Sequence, residues 1–142
     1  MRAIENKIEI HFDGGCRPTN PGNKYGSFEV LLDGRQVFKA SRMELGRGTN
    51  NEAEFDSLIA ALRFVVNDLS VGGFDPKTYA VSVFTDSTIV ANRLTRERAR
   101  DKGEPAQRMA ALAATCNSYL AMFGHWSCKW NGRSANVERF GH

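Results

Sequence analysis

The chain has 142 residues, 42% hydrophobic and 25% charged, with a formal net charge of +3; this composition excludes a disordered or fibrous protein. No apolar run approaches the ~20 residues of a membrane span, and the N-terminal stretch is interrupted by charges. We therefore expect no signal peptide and one cytoplasmic domain over residues 1–142. Three cysteines without CxxC spacing predict reduced thiols rather than a zinc site or a disulfide framework.

The first third of the chain has the pattern of an antiparallel meander. Apolar and polar residues alternate over 7–13, which predicts a strand that ends on Asp13. Two further strands are expected over about 25–32 and 36–45, joined by Asp33-Gly34, which is typical of a hairpin turn. The stretch after Asp13 is rich in glycine, proline and asparagine, so we expect a long loop there.

The rest of the chain alternates between helices and strands. Apolar residues recur at helical spacing over 50–69, and Thr49 or Asn50 can cap this helix. Residues 79–86 predict a fourth strand that ends on Asp86 and is followed at once by a helix. A second amphipathic helix, a fifth strand over 125–130 and a brief final helix complete the order. This order predicts an α/β fold in which helices pack on a mixed sheet.

Three acidic side chains are notable for where they occur. Asp13 and Asp86 end predicted strands, and Glu54 lies four residues before Leu58, on the inward stripe of the long helix. Each alone could organise a turn, complement a helix dipole or cap a helix. A buried carboxylate is costly unless it is paired or binds a cation, and oxygen ligands suit magnesium or manganese. The three together favour a metal site.

The motifs FDGG with NPG nearby, TNNEAE and TDS resemble those of the type 1 ribonuclease H family, in that family's order, from Ile8 to Asn136. The resemblance implies a ribonuclease H-like five-stranded mixed sheet with three antiparallel strands first. It implies that Asp13, Glu54 and Asp86 are catalytic and hold two Mg²⁺ or Mn²⁺ ions when substrate is bound. The implied activity is metal-dependent endonucleolytic cleavage of the RNA strand of RNA/DNA hybrids.

The resemblance also assigns residues to the nucleic acid. It places Thr49 at a DNA phosphate, Arg133 at the position of a flexible basic residue that closes the site, and five residues in the hybrid's minor groove: Gly15, Cys16, Asn20, Asn50 and Asn51. Such loops and amides can reach the 2′-hydroxyl that marks RNA. Further DNA contacts, or merely a solvated surface, are expected at Arg96, Arg98, Arg100 and Lys102. No protein partner or membrane is implied, and we expect a monomer.

The end of the chain departs from the family pattern. The family places a fourth aspartate four residues after the asparagine that Asn136 matches, and here that position is Phe140. Glu138 and His142 lie two residues to either side, about 200° around a helix. Each is a candidate for the fourth catalytic group, and the alternative is an ordinary surface helix end. Ligation by His142 would favour manganese over magnesium.

The missing acid also supports an alternative function. The chain could be a catalytically weak or inactive module that binds RNA/DNA hybrids or double-stranded RNA. A 3′ to 5′ exonuclease of the same superfamily is disfavoured, because its first motif would pair two acids one residue apart, whereas Gly14 and Gly15 follow Asp13.

Overall fold

The computed structural model describes residues 6–95 and 104–142 of the chain. The basic candidates Arg96, Arg98, Arg100 and Lys102 lie outside the described residues. The strands are β1 Lys7–Arg17, β2 Gly22–Leu32, β3 Arg35–Gly48, β4 Ala80–Thr85 and β5 His125–Trp130. The helices are α1 Asn50–Gly72, α2 Thr88–Thr95, α3 Glu104–Leu120 and α4 Arg133–Phe140, with a short 3₁₀ turn at Pro76–Thr78. Within the two described ranges, no helix is long and apolar enough to cross a membrane.

The five strands form one mixed sheet in the order β3-β2-β1-β4-β5. The first three pair antiparallel, whereas β4 pairs parallel with both β1 and β5. Asp33 and Gly34 turn the β2–β3 hairpin with φ angles of 50° and 87°, the left-handed pair that a two-residue turn requires. The predicted mixed sheet with three antiparallel strands first is confirmed.

The two faces of β1 carry different chemistry. Ile8, Ile10 and Phe12 join the core beneath α1, and α3 packs against α1 in the same core. The alternation of the strand turns His11 and Asp13 to the opposite face. Helix α4 packs on that face, where the Asn136 amide donates to the Phe12 carbonyl at 3.4 Å. Arg139 of the same helix forms an ion pair with Glu29, the β2 residue that lies opposite His11 in the β1–β2 register.

β1 is longer than the sequence pattern predicts. Its pairing with β2 continues to Arg17 and Asn23, whereas its pairing with β4 ends at His11 and Phe84. The prediction that Asp13 ends a strand is therefore wrong, and the expected long loop is reduced to residues 18–21. β2 and β3 also extend beyond their predicted ranges, because the glycines and polar residues at their ends are held by cross-strand hydrogen bonds.

Candidate active site

The topology brings the three predicted carboxylates together. Asp13 lies two residues beyond the last parallel β1–β4 pair, and Asp86 directly follows β4. Glu54, near the N-terminus of α1, approaches from the helix layer, where its Oε1 accepts the Gly14 N–H at 3.2 Å. Each residue offers one ligand oxygen, and these oxygens all lie within 4.8 Å of one another. The three side chains therefore converge, and their role as metal ligands stays a prediction.

A capping box fixes the start of α1 and therefore the position of Glu54. The Thr49 hydroxyl accepts the Glu52 N–H at 3.2 Å, and the Glu52 carboxylate accepts the Thr49 N–H at 2.9 Å. Two unpaired donors at the helix end are satisfied reciprocally in this way. Glu52 also accepts a hydrogen bond from Arg108 of α3 at 2.9 Å. The end of α1 that carries Glu54 is therefore tied both to its own cap and to α3.

Glycine at position 14 allows α1 to approach β1 closely. A Cβ atom on Gly14 would lie 2.5 Å from the carbonyl carbon and oxygen of Ala53 and 2.8 Å from the Glu54 nitrogen. All three are backbone atoms, so no side-chain rotation relieves the clash. The close contact between Gly14 and Glu54 therefore requires a residue without a side chain at position 14.

We expect Gly14→Ala to lower the free energy of unfolding by about 1–3 kcal/mol, because the helix must move away from β1. Urea unfolding monitored by circular dichroism measures the change. Gly132→Ala is the matched control, since its Cβ would meet nothing closer than 3.9 Å. A Gly14→Ala protein as stable as the Gly132→Ala protein would contradict the prediction.

The three carboxylates repel one another. Burial, followed by the charges of Asp13 and Asp86, raises the pKa of Glu54 to about 9. Burial and the charge of Asp86 raise the pKa of Asp13 to about 7, against the opposing effects of the Gly14 N–H and Arg133. A divalent cation between these oxygens would remove both causes, and carboxylate oxygens are the donors that magnesium and manganese prefer. The donor set therefore fits such a cation.

The structure brings one of the two terminal candidates to this site. His142 Nδ1 lies 3.3 Å from Asp13 Oδ2. Glu138 is exposed on α4 and is not among the acids whose oxygens converge. The two candidates are four positions apart, and the left-handed Gly141, with φ of 78°, turns the chain back toward β1 only after the helix has ended. The expectation that Glu138 could be the fourth group therefore has no support in the geometry.

Residues that the sequence did not single out hold the His142 ring. Ser27 Oγ lies 2.7 Å from Nε2, and the Tyr25 ring contacts the imidazole edge-on with centroids 5.0 Å apart. Burial and the charges of Arg42 and Arg17 lower the pKa of His142, which favours the neutral ring. Ser27 pairs with Asp13 across β1–β2, so the strand register could have identified it.

Three of the predicted nucleic-acid contacts form one cluster beside the acids. The Asn50 side-chain oxygen accepts the Cys16 backbone N–H at 3.0 Å, and the Asn20 side-chain oxygen accepts the Asn50 backbone N–H at 3.0 Å. The Cys16 thiol lies within 3.3 Å of both amide oxygens. A Cβ atom on Gly15 would lie 2.7 Å from the Tyr25 hydroxyl oxygen, so a side chain there would displace the Tyr25 ring. Neither Asn51 nor Arg133 has a hydrogen bond in this cluster.

Comparison with known proteins identifies ribonucleases H as relatives of this chain. No protein-family model matches the chain. Ribonuclease HI of Halobacterium salinarum is 30% identical over 130 residues, which cover 92% of this chain and 59% of that protein. The chain spans little more than half the length of that protein and of ribonuclease H from Mycolicibacterium gilvum.

Solved structures extend the similarity to nearly the whole fold. The crystal structure of ribonuclease H1 from Halobacterium salinarum matches with a TM-score of 0.73 and 30% identity, covering 95% of this chain and 92% of that one. LC11 ribonuclease H1, solved in complex with an RNA/DNA hybrid, matches in fold with a TM-score of 0.71, at 23% identity over 92% of this chain and 89% of that one. This chain belongs to the type 1 ribonuclease H family.

Proposed function

We propose that the chain is a metal-dependent endonuclease that hydrolyses the RNA strand of RNA/DNA hybrids. The observation that carries the proposal is the convergence of Asp13, Glu54 and Asp86 within 4.8 Å in a chain of this family. No other group of three potential ligands converges in this way among the described residues. The proposed cofactor is Mg²⁺ or Mn²⁺, with two ions bound when substrate is present.

The chain's own contribution to this chemistry is a fixed set of oxygens. When bound, divalent cations activate a water molecule and stabilise the charge on the leaving oxygen of a phosphodiester. Asp13, Glu54 and Asp86 would hold the cations. The Gly14 N–H orients the Glu54 carboxylate, and the capping box at Thr49 keeps that end of α1 in place.

The side-chain amides of Asn20 and Asn50 support an RNA/DNA hybrid as the substrate. The hydrogen bonds of Asn20 and Asn50 within the described residues engage their side-chain oxygens, which leaves the amide N–H groups to donate to a 2′-hydroxyl or phosphate oxygen. The LC11 complex supports the same substrate, since that protein has this fold and binds an RNA/DNA hybrid. Asn51, Gly15, Thr49 and Arg133 complete the proposed contact surface.

A groove on β2 and β3 suits the backbone of the nucleic acid. It has a volume of about 650 Å³ and is lined by the Tyr25 ring that contacts His142, by one acid, Glu44, and by the cations Arg17, Lys24, Arg42 and Arg47. Lys24 forms an ion pair with Asp56, so the groove keeps a net positive lining from the three arginines. Such a lining attracts phosphates, and the resulting affinity falls as salt is added.

The test is cleavage of a labelled RNA/DNA hybrid by the purified chain in Mg²⁺ or Mn²⁺. We expect cleavage in at least one metal, no cleavage with a chelator, and a loss of about three orders of magnitude for Asp13→Asn, which removes several kcal/mol of transition-state stabilisation. Asp68→Asn is the matched control, because it makes the same change at an exposed position on α1.

The alternative function gives a different result. Retained hybrid binding without cleavage in either metal would identify a binding module. This alternative is considered because position 140 carries Phe in place of the family's fourth acid. Cleavage that Asp13→Asn leaves unchanged would show that the acidic cluster is not the catalytic site.

A further inference from the structure

We propose that the His142 imidazole is a fourth ligand of this chain's divalent-cation site and binds through Nδ1 beside Asp13. The inference rests on the proposed function, because it takes Asp13, Glu54 and Asp86 as the other ligands. It adds a nitrogen donor to a set of oxygen donors.

The His142 side chain is held in place by the fold. It is 7% exposed, and its two ring nitrogens have different partners: Nδ1 lies 3.3 Å from Asp13 Oδ2, and Nε2 lies 2.7 Å from Ser27 Oγ. Imidazoles that bind metals commonly use their second nitrogen for such a hydrogen bond, because it fixes the orientation of the ring and its tautomer. The nitrogen that faces the acids is therefore the one available to a cation.

The Ser27 hydroxyl can support the metal-binding tautomer. Its oxygen accepts the backbone N–H of Arg42 at 2.9 Å, which leaves a second lone pair. When that lone pair accepts the N–H of Nε2, Nδ1 carries no proton and its own lone pair faces the Asp13 carboxylate. A neutral imidazole in this form is the common metal ligand.

The end of α4 explains why residue 142 takes this place and residue 140 does not. Gly141 adopts φ of 78°, its N–H donates to the Val137 carbonyl at 2.7 Å, and its carbonyl accepts from Arg42 at 3.1 Å. This turn brings His142 to Asp13, while the Phe140 ring is buried with its centroid 6.0 Å from that of His142. The aromatic residue in place of the expected acid thus becomes support for the imidazole.

His142 extends the acidic cluster at Asp13. Its Nδ1 contacts Asp13 Oδ2, Asp13 converges with Glu54 and Asp86, and the charge of Asp86 also acts on the imidazole. His142 would therefore add a nitrogen donor to the cation site that the three carboxylates would form.

Binding of Mn²⁺ alone, measured by isothermal titration calorimetry on the full chain, tests the assignment. We expect His142→Ala to weaken Mn²⁺ binding at least about tenfold. His125→Ala serves as the matched control, because His125 is an exposed histidine at the start of β5. His142→Asp is expected to shift the preference from Mn²⁺ toward Mg²⁺, since it restores an oxygen donor. An affinity of His142→Ala within twofold of the unmodified chain would overturn the assignment.

Nitrogen-15 NMR of the unmodified chain gives a test that needs no variant. With Zn²⁺ as a diamagnetic probe, ligation is expected to shift the Nδ1 resonance of His142 and to leave the proton on Nε2. An unshifted Nδ1 resonance at saturating Zn²⁺ contradicts the proposal, even if His142→Ala fails to fold.

Asp13→Asn separates this inference from the proposed function. If Asp13→Asn loses Mn²⁺ binding and hybrid cleavage while His142→Ala keeps both, only the assignment of His142 fails. If Asp13→Asn keeps both Mn²⁺ binding and hybrid cleavage, the proposed function and the assignment of His142 both fail.

Discussion

Replacing Glu54 by Gln is expected to abolish metal-dependent cleavage and, in the same protein, to stabilise the metal-free fold above neutral pH. Gln has the shape of Glu and keeps a carbonyl oxygen that can accept the Gly14 N–H, now 3.2 Å from Glu54 Oε1. It lacks the negative charge that a cation requires and that Asp13 and Asp86 repel. The same substitution therefore removes a ligand and relieves a cost of folding.

The sign of the pH dependence follows from the pKa of Glu54. In the folded, metal-free chain it is raised to about 9 from an ordinary 4.5, chiefly by burial. Between these values the unfolded chain releases a proton that the folded chain retains, so stability falls as pH rises. Below the lower value both states are protonated and the contribution is fully present. The nominal slope is about 1.4 kcal/mol per pH unit for one group, and coupling to Asp13 reduces it.

Urea unfolding in the presence of a chelator measures this effect. We expect Glu54→Gln to exceed the unmodified chain by on the order of 2 kcal/mol at pH 8, and the difference to shrink toward pH 5. Saturating Mn²⁺ is expected to reverse the ranking, because a cation that binds only the folded state stabilises it by mass action. Glu138→Gln, the same change on an exposed stretch of α4, should show neither effect. A pH-independent difference would exclude the raised pKa as its cause.

The parts of the site that follow local sequence rules could be predicted. Helical spacing placed Glu54 on the buried side of α1, and the strand before Asp86 was evident from its alternation. Thr49 was one of two predicted caps, with Asn50 as the alternative, and the structure shows that Thr49 caps α1.

The parts that depend on non-local pairing could not be predicted. The length of β1 is decided by hydrogen bonds to β2 up to Asn23, which compensate for the low strand propensity of Gly14 and Gly15. The position of His142 depends on a left-handed turn at Gly141 and on Ser27, 115 residues away in the chain. A helical wheel drawn through Phe140 gives no information on where the chain goes once the helix has ended.

The same geometry predicts that restoring the family's acid at position 140 will damage the protein. Phe140 is 7% exposed, at the last position of α4, and its ring faces Lys39 Nζ at 5.6 Å and the His142 imidazole. Phe140→Asp removes this apolar burial and places a carboxylate where the ring packed. We expect a loss of about 3 kcal/mol in the free energy of unfolding, with Lys39 offsetting part of the cost of burying the charge.

Activity should fall together with stability, because the His142 ring loses the surface it packs against. Val137→Asp is the matched control: it introduces the same acid three residues earlier on α4, where Val137 is 47% exposed, and should change stability by less than about 0.5 kcal/mol. Urea unfolding and the hybrid-cleavage assay in Mg²⁺ measure the two effects. A Phe140→Asp protein that is both stable and more active in Mg²⁺ would show that position 140 reaches the metal site. The turn at Gly141 would then not be what decides which residue faces Asp13.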